Sequence, residues 1–256
     1  GVNKIVQHAN NGAQNNSGTS TTQANNIQIV QQVIGPNGEI TQVDSNFDGK
    51  IDQWRHMSSN GKITKVEYDI DFNGTIDQIE YYEGKKIMTK AEFDSNKDGQ
   101  MDQVQHYGKS GKLKRVEKDS KHKGFFDWVE FFNEKEKIVR IEVDKNGDKG
   151  ADMIQHFDGN QKLTHIEHDT DQNRKTDRWD YYSDKKLIRV EFDTNSDLKP
   201  DQWQYFQGLN KIEKVESDTN FDGKADHWEF FDSSEKLIRK ESDRNFDGKP
   251  DLVENQ

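Results

Sequence analysis

Asp44-Ser45-Asn46-Phe47-Asp48-Gly49-Lys50-Ile51-Asp52 is an acidic loop that returns along the whole chain. Its first Asp recurs as Asp69, Asp94, Asp119, Asp144, Asp169, Asp193, Asp218 and Asp243, giving nine loops 25 residues apart, with one spacing of 24. A second Asp follows eight positions after each: Asp52, Asp77, Asp102, Asp127, Asp152, Asp177, Asp201, Asp226 and Asp251. Oxygen ligands at positions one, three, five and nine around a Gly at six are what a loop needs to wrap Ca²⁺. Nine in register define a repeat protein whose unit carries a candidate metal site.

The loops can be read ligand by ligand. Those starting at 44, 69, 94, 218 and 243 carry the full pattern. Their side-chain ligands are Asp44, Asn46, Asp48 and Asp52; Asp69, Asp71, Asn73 and Asp77; Asp94, Asn96, Asp98 and Asp102; Asp218, Asn220, Asp222 and Asp226; Asp243, Asn245, Asp247 and Asp251. Position seven would supply a backbone carbonyl from Lys50, Thr75, Gln100, Lys224 or Lys249. Position twelve, where a helix-flanked loop places a bidentate Glu, is Glu80, Glu229 or Glu254 in three loops but Arg55 and Gln105 in the others. The invariant Asp at nine is therefore the expected closing ligand.

Three loops are compromised. They keep Asp144, Asn146, Asp148 and Asp152; Asp169, Asp171, Asn173 and Asp177; Asp193, Asn195, Asp197 and Asp201. They place Lys149, Arg174 and Leu198 where Gly belongs. A side chain at positive φ costs about 1 kcal/mol or more, so weak binding or altered turns are expected. The loop from Asp119 to Asp127 has Lys121 and Lys123 at positions three and five. No metal is expected there, an ammonium taking the place of the ion between Asp119 and Asp127. The expectation is about five strong Ca²⁺ sites and three weaker ones. Mg²⁺ fits less well because it resists dehydration and demands tighter octahedral geometry. The alternative is a set of ion-free Asx-turn loops.

Between loops the text alternates as strands do. Two positions after the last loop Asp come Trp54, Ile79, Val104, Val129, Ile154, Trp179, Trp203, Trp228 and Val253. Two further on come His56, Tyr81, His106, Phe131, His156, Tyr181, Tyr205 and Phe230, on the same strand face. A second strand places Glu67, Glu92, Glu117, Glu142, Glu167, Glu191, Glu216 and Glu241 two residues before a loop. Two before each Glu stands Lys65, Lys90, Arg115, Arg140, His165, Arg189, Lys214 or Arg239. One apolar stripe per hairpin cannot be buried by that hairpin alone, so neighbours must stack. The fold expected is all-β: tandem 25-residue β-hairpin repeats in an elongated twisted or solenoid-like sheet, with the loops along one edge. A propeller or barrel is the competing topology, although a propeller blade needs four strands and this unit has two. The aromatic rows read as core, or as a partly exposed face able to stack sugars or peptides.

Residues 27–256 form a single repeat array, opened by a capping half-repeat at 27–43 with a Gly35-Pro36-Asn37-Gly38 turn. Residues 1–26 are rich in Asn and Gln without periodicity and read as a disordered polar tether. The chain starts at Gly1 without Met, so a processed or trimmed form is expected; such a tether also suits a lipoprotein acylated on a Cys upstream of this chain.

Only 29% of the residues are hydrophobic and 33% are charged, which makes one compact core hard to build. The formal charge of −11 sits at repeat positions rather than in a tail. Several bound Ca²⁺ ions, each adding two charges, would bring it near neutral or beyond, and would supply part of the folding free energy. There is no Cys, and no apolar run long enough to cross a bilayer as a helix.

The Asp-x-Asp/Asn-x-Asp/Asn-Gly-x-x-Asp text resembles the EF-hand-like calcium loops, without flanking helices, of integrin-type propellers and thrombospondin type 3 repeats. The hairpin text, as in Tyr181 to Leu187 or Phe230 to Leu237, resembles bacterial YD/Rhs-type repeats. Together these cover residues 27–256 and resemble bacterial surface or secreted EF-hand-like calcium-loop β-hairpin repeat proteins. The resemblance implies extracellular Ca²⁺-stabilised β-structure and no catalytic residues. The thrombospondin-type cysteines and the propeller's four-strand spacing are missing here, so neither parent fold carries over.

Other chemistry is thinly marked. His56, His106 and His156 fill a slot held elsewhere by Tyr or Phe and read as stacked strand aromatics. His165-x-x-His168 has a two-ligand spacing without partners, so zinc is not expected there. No nucleophile elbow, phosphate loop or unique acid/base pair stands out, and no enzyme is expected. The acidic balance disfavours nucleic acid. The expected function is a calcium-binding structural or adhesive repeat protein of the cell surface or secreted space, meeting a surface protein or glycan. The alternatives are a carbohydrate-binding module using an aromatic row, and a non-catalytic stalk or shell of a secreted assembly.

Overall fold

The computed structural model describes residues 28–35, 38–83, 85–208 and 210–256. The expected tether at 1–26 lies outside them. Every described element is a strand, and no helix is long and apolar enough to cross a membrane. The chain divides into two compact units, one up to Lys118 and one from Asp119 onward. Each unit is itself an array of consecutive antiparallel hairpins.

The first unit holds β1 (Gln28–Gly35), β2 (Gly38–Asp44), β3 (Gln53–Met57), β4 (Ile63–Tyr68), β5 (Gln78–Tyr81), β6 (Lys90–Phe93), β7 (Gln103–Tyr107) and β8 (Leu113–Lys118). β1 and β2 form the expected opening hairpin. The second unit holds β9 (Trp128–Phe132), β10 (Ile138–Val143), β11 (Met153–Phe157), β12 (Leu163–His168), β13 (Arg178–Ser183), β14 (Lys186–Phe192), β15 (Gln202–Gln207), β16 (Lys211–Ser217), β17 (His227–Phe231), β18 (Leu237–Ser242) and β19 (Leu252–Asn255). Within each unit every strand pairs with, and touches, only the strands before and after it in the chain. Neither unit packs a second layer on its sheet among the described residues.

That single layer sets the burial. Ala91, Val66 and Val116 in the first unit, and Val190 and Ile141 in the second, are buried mid-strand on the face opposite the aromatic rows. The rings expected to form the core are only half-buried. With no facing sheet to cover them, they are covered from the side. In the first unit, Lys65, Tyr81, Lys90, His106 and Arg115 are successive cross-strand partners. In the second, Tyr181, Arg189, Tyr205, Lys214, Phe230 and Arg239 are. The result is a ladder of alternating rings and cations. Lys90 Nζ lies 4.0 Å from the Tyr81 ring centre, Arg189 4.4 Å from Tyr181, Lys214 4.3 Å from Tyr205 and Arg239 4.0 Å from Phe230. Half-exposed cation–π contacts of this kind contribute about 0.5–1 kcal/mol each.

The Glu row locks this ladder. Each Glu meets the cation two residues earlier, as in Lys65–Glu67 at 2.6 Å, Arg140–Glu142 at 2.6 Å and Lys214–Glu216 at 2.8 Å. Where the ring on the preceding strand is Tyr or His, the Glu also meets its polar tip. Tyr81 Oη donates to Glu92 at 2.7 Å, Tyr205 Oη donates to Glu216 at 2.7 Å, and His56 Nε2 lies 2.6 Å from Glu67. In the Tyr and His hairpins these charges therefore form ring–carboxylate–cation triads that tie the two strands together.

Two outcomes test this packing. Val190 is 1% exposed. Val190→Ala should lower unfolding free energy by about 2 kcal/mol in urea denaturation, as for a buried aliphatic truncation. Burial, then the bond to Glu216, pushes the Tyr205 hydroxyl up to about 12. An unfolded tyrosine releases its proton near about 10, so between these values the unfolded state holds fewer protons and stability falls as pH rises. Tyr205→Phe should make that alkaline decline shallower in melts recorded across pH 9 to 12.

Candidate metal loops

The loops are built by their own carboxylates. Position one accepts the N–H of position six in all nine loops: Gly49 to Asp44 at 2.8 Å, Gly74 to Asp69 at 2.8 Å, Gly223 to Asp218 at 2.7 Å, and so on. Position nine accepts the N–H of position two, as Ser45 does to Asp52 at 2.8 Å and Thr219 to Asp226 at 2.9 Å. The Asn or Asp at three accepts the N–H of five, shown by Asp48 to Asn46 at 2.9 Å. Position five accepts the N–H of seven, shown by Lys50 to Asp48 at 2.8 Å. Each such bond to an ionised carboxylate contributes about 1.5–3 kcal/mol where it is shielded from water.

Loops are also joined to each other by backbone. The N–H of Asp69 donates to the carbonyl of Asp52, and that of Asp94 to Asp77. In the second unit Asp144, Asp169, Asp193, Asp218 and Asp243 donate to Asp127, Asp152, Asp177, Asp201 and Asp226. The first Asp of a loop thereby sits under its neighbour. Asp44, Asp69, Asp218 and Asp243 are at most 4% exposed. Among the described residues, buried polar side chains outnumber buried apolar ones, and most of them are the first or last aspartates of the loops.

Two loops bring three carboxylates together. Asp69, Asp71 and Asp77 place one oxygen each within 4.8 Å of one another, as do Asp169, Asp171 and Asp177. These are positions one, three and nine. In loops with Asp at one, five and nine, no such triple forms among the described residues, because position five turns to the N–H of seven. Asp77 is 7% exposed, and its Oδ2 accepts the N–H groups of Ile70 at 2.6 Å and Asp71 at 3.2 Å. Its Oδ1 is buried with no hydrogen-bond partner. Asp177 Oδ1 is in the same condition. An anionic oxygen without a partner in such a place is costly, and a cation would relieve it. The position-seven residues meet the loop through their N–H groups, as Thr75 does with Asn73 at 2.7 Å.

The three loops lacking Gly at six keep the same turn. Lys149, Arg174 and Leu198 adopt φ 71°, 70° and 73°, and their N–H groups still donate to Asp144, Asp169 and Asp193. Of the two expected outcomes, altered turns are absent and the strain is absorbed. Arg174 also reaches the preceding loop. Its Nε lies 2.9 Å from Asp148 Oδ2, and a terminal nitrogen donates to the Asp148 carbonyl at 2.6 Å. That guanidinium holds the Asp148 carboxyl well below the usual range and competes with any ion there.

At 119–127 the turn also forms, with Lys123 and Gly124 N–H groups donating to Asp119 at 2.8 and 2.6 Å. Burial works to raise the Asp119 carboxyl; those N–H groups and nearby His122 outweigh it and hold it low. The expected ammonium between the carboxylates is not found. Lys123 Nζ instead lies over the Phe125 ring, 5.8 Å from its centre.

A feature missed in the sequence is position four, which is left-handed in every loop. Phe47, Phe72, Phe221 and Phe246 have φ between 60° and 64° and are about half exposed. Position four reaches toward the preceding loop: Phe72 borders a cleft with Asp48, Lys50 and Ile51, and Lys97 pairs with Asp71 at 2.7 Å. A glycine marks only one of these nine positions, Gly147, so elsewhere only the backbone reveals them.

Of the three histidines in the ring slot, His56 and His106 lie against Glu67 and Glu117 at 2.6 and 2.9 Å, and His156 is the one that stacks on another ring. His156 and His165 stack at 4.1 Å with their rings 6° apart, beside Glu167. Burial, then His156, holds the His165 imidazole below its ordinary pKa.

No family model matches the chain, and no curated protein matches it. Among solved structures, accessory secretory protein 1, 2 and 3 of Streptococcus pneumoniae is similar at 17% identity, covering 44% of this chain and 18% of that one, with a TM-score of 0.28. A mutant of TarM from S. aureus is similar at 14% identity, over 45% and 19%, with a TM-score of 0.25. A porin-like protein from Bacteroides uniformis is similar at 10% identity, over 87% and 91%, with a TM-score of 0.24. The chain spans about a fifth of the length of the first two. Likeness at this level assigns neither family nor function.

Gly223 sits at φ 90° with nothing within 4 Å of where a Cβ would stand. Gly223→Ala therefore isolates backbone strain, and should cost about 1 kcal/mol in thermal or urea unfolding.

Proposed function

We propose that this chain is a calcium-binding structural repeat module of a cell surface or secreted space, its hairpins clasped by ions in the acidic loops. The observation that carries the reading is the clustering of the Asp69, Asp71 and Asp77 carboxylates, with Asp77 Oδ1 buried and unpartnered. Ca²⁺ suits an all-oxygen donor set with flexible geometry. The ligands would be the side chains at one, three and nine, with position five joining by a turn of its side chain. Loops without a bidentate Glu at twelve have few charged ligands, which points to weak sites of about 10⁻⁴–10⁻³ M, the range of extracellular modules. At ten times Kd each occupied loop adds about 1.4 kcal/mol of stability. The exposed phenylalanines at position four and the hairpin turns would present the interaction surface. Cations stacked on the ring faces support this reading over a sugar-stacking one, and a stalk-like role remains a form of the same proposal.

Calorimetric titration should find about five sites that lift the melting temperature together, with none at 119–127. Asp77→Asn should remove one. Arg174→Gly should strengthen binding in the loops at 144 and 169, since it frees Asp148 and relieves the turn. A melting temperature indifferent to both EDTA and millimolar Ca²⁺ would overturn the proposal.

A further inference from the structure

In seven of the eight hairpins that carry a ladder ring, the ring faces a Lys or Arg on the second strand. The exception is β11 and β12, where His156 faces His165. A fixed cation has no lone pair to offer a metal, whereas an imidazole does. Glu167, two residues beyond His165, completes the group: its Oε1 lies 2.8 Å from His156 Nε2 and 3.8 Å from His165 Nε2. His156 Nε2 is nevertheless buried without a hydrogen-bond partner, so the short approach is out of line for a hydrogen bond. One ligand atom from each of the three side chains lies within 4.8 Å of the others.

We propose that His156, His165 and Glu167 form a binding site for one divalent transition ion of the zinc class, separate from the oxygen-lined loops. Two imidazole nitrogens and one carboxylate oxygen are a borderline donor set, which favours Zn²⁺ over Ca²⁺. Three protein ligands leave a position open to water or an outside ligand. Supporting groups surround the site. Thr164 Oγ1 is 3.2 Å from His165 Nδ1, and Thr176 Oγ1 donates to Glu167 Oε2 at 3.2 Å. Such partners orient ligands and tune metal affinity. Tyr181 stacks on His165 with ring centres 5.6 Å apart. The nearest permanent cation on β10, Arg140, lies over Phe131 and pairs with Glu142 at 2.6 Å, which occupies its charge.

The repeat itself supplies the test variants. His156→Phe installs the residue found at the matching place as Phe131 and Phe230, and His165→Arg installs that found as Arg140 and Arg189. Both should keep the metal-free circular dichroism spectrum and melting temperature. Zn²⁺ is titrated into the full chain by calorimetry in saturating Ca²⁺, with Co²⁺ absorption reporting nitrogen ligation. The expected result is a site of one Zn²⁺ per chain, weakened at least tenfold by either variant and by the isosteric Glu167→Gln. Glu167→Gln serves as the deciding variant should a histidine replacement fail to fold. No Zn²⁺ site in the presence of Ca²⁺, or one indifferent to these changes, overturns the proposal. The Ca²⁺ titration is read separately, so failure of the calcium reading leaves this outcome distinct.

Discussion

A carboxylate that accepts two or more backbone N–H groups recurs at the head of every loop, buried in all but the one at Asp144, and the rest of the molecule hangs on it. Asp44 takes the N–H groups of Asp48 and Gly49, and its counterparts repeat the arrangement. Seen from the backbone, such a loop folds around an anion. Donors that would be orphaned in a tight turn are satisfied, and the strand that follows leaves in a fixed direction. The N–H of the next loop's first Asp then donates to the carbonyl of the last, as Asp69 does to Asp52. Hairpin follows hairpin at constant spacing because each loop is seated on its predecessor.

Carboxylates placed this way have a second consequence. An aspartate has more acceptor capacity than a few N–H groups can use. Where the remaining oxygen is buried, as in Asp77, the loop carries an uncompensated demand for positive charge. Some loops meet that demand from within the protein. Lys97 pairs with Asp71 and Arg174 with Asp148, both reaching across from a neighbouring loop. Ions and side-chain cations compete for the same oxygens, so the loops need not be equivalent however regular their spacing.

The sheets face the opposite problem. A single layer has no facing layer to exclude water, and the chain has too few apolar residues to build one. Cations laid over rings, and carboxylates that grip both, cover the aromatic face without a core. The same ladder can change chemistry at one rung without disturbing its neighbours, which is what His156 and His165 do.

Much of this was legible in the text of the chain. A period of 25 with two-residue alternation between loops leaves little but consecutive β-hairpins, since side chains of a strand alternate by geometry alone. The loop aspartates were legible because their positions recur. The left-handed turn at Phe47 and its equivalents was not, because only Gly147 among them is a glycine. Nor was the fate of Lys123, which lies over Phe125 rather than between carboxylates.

What the sequence by itself determined is the unit: two short strands, an acidic loop and the order of its ligands. Only the tertiary structure decided which groups meet. Position five takes the N–H of seven and, in several loops, the amide of position three, outside the cluster formed at one, three and nine in two loops; rings lie under cations instead of in a core; His156 and His165 come face to face nine residues apart in sequence. Periodicity specifies where a side chain sits along a strand. Its partner is set by cross-strand register and by what else competes for its charge, and those exist only once neighbouring hairpins have paired.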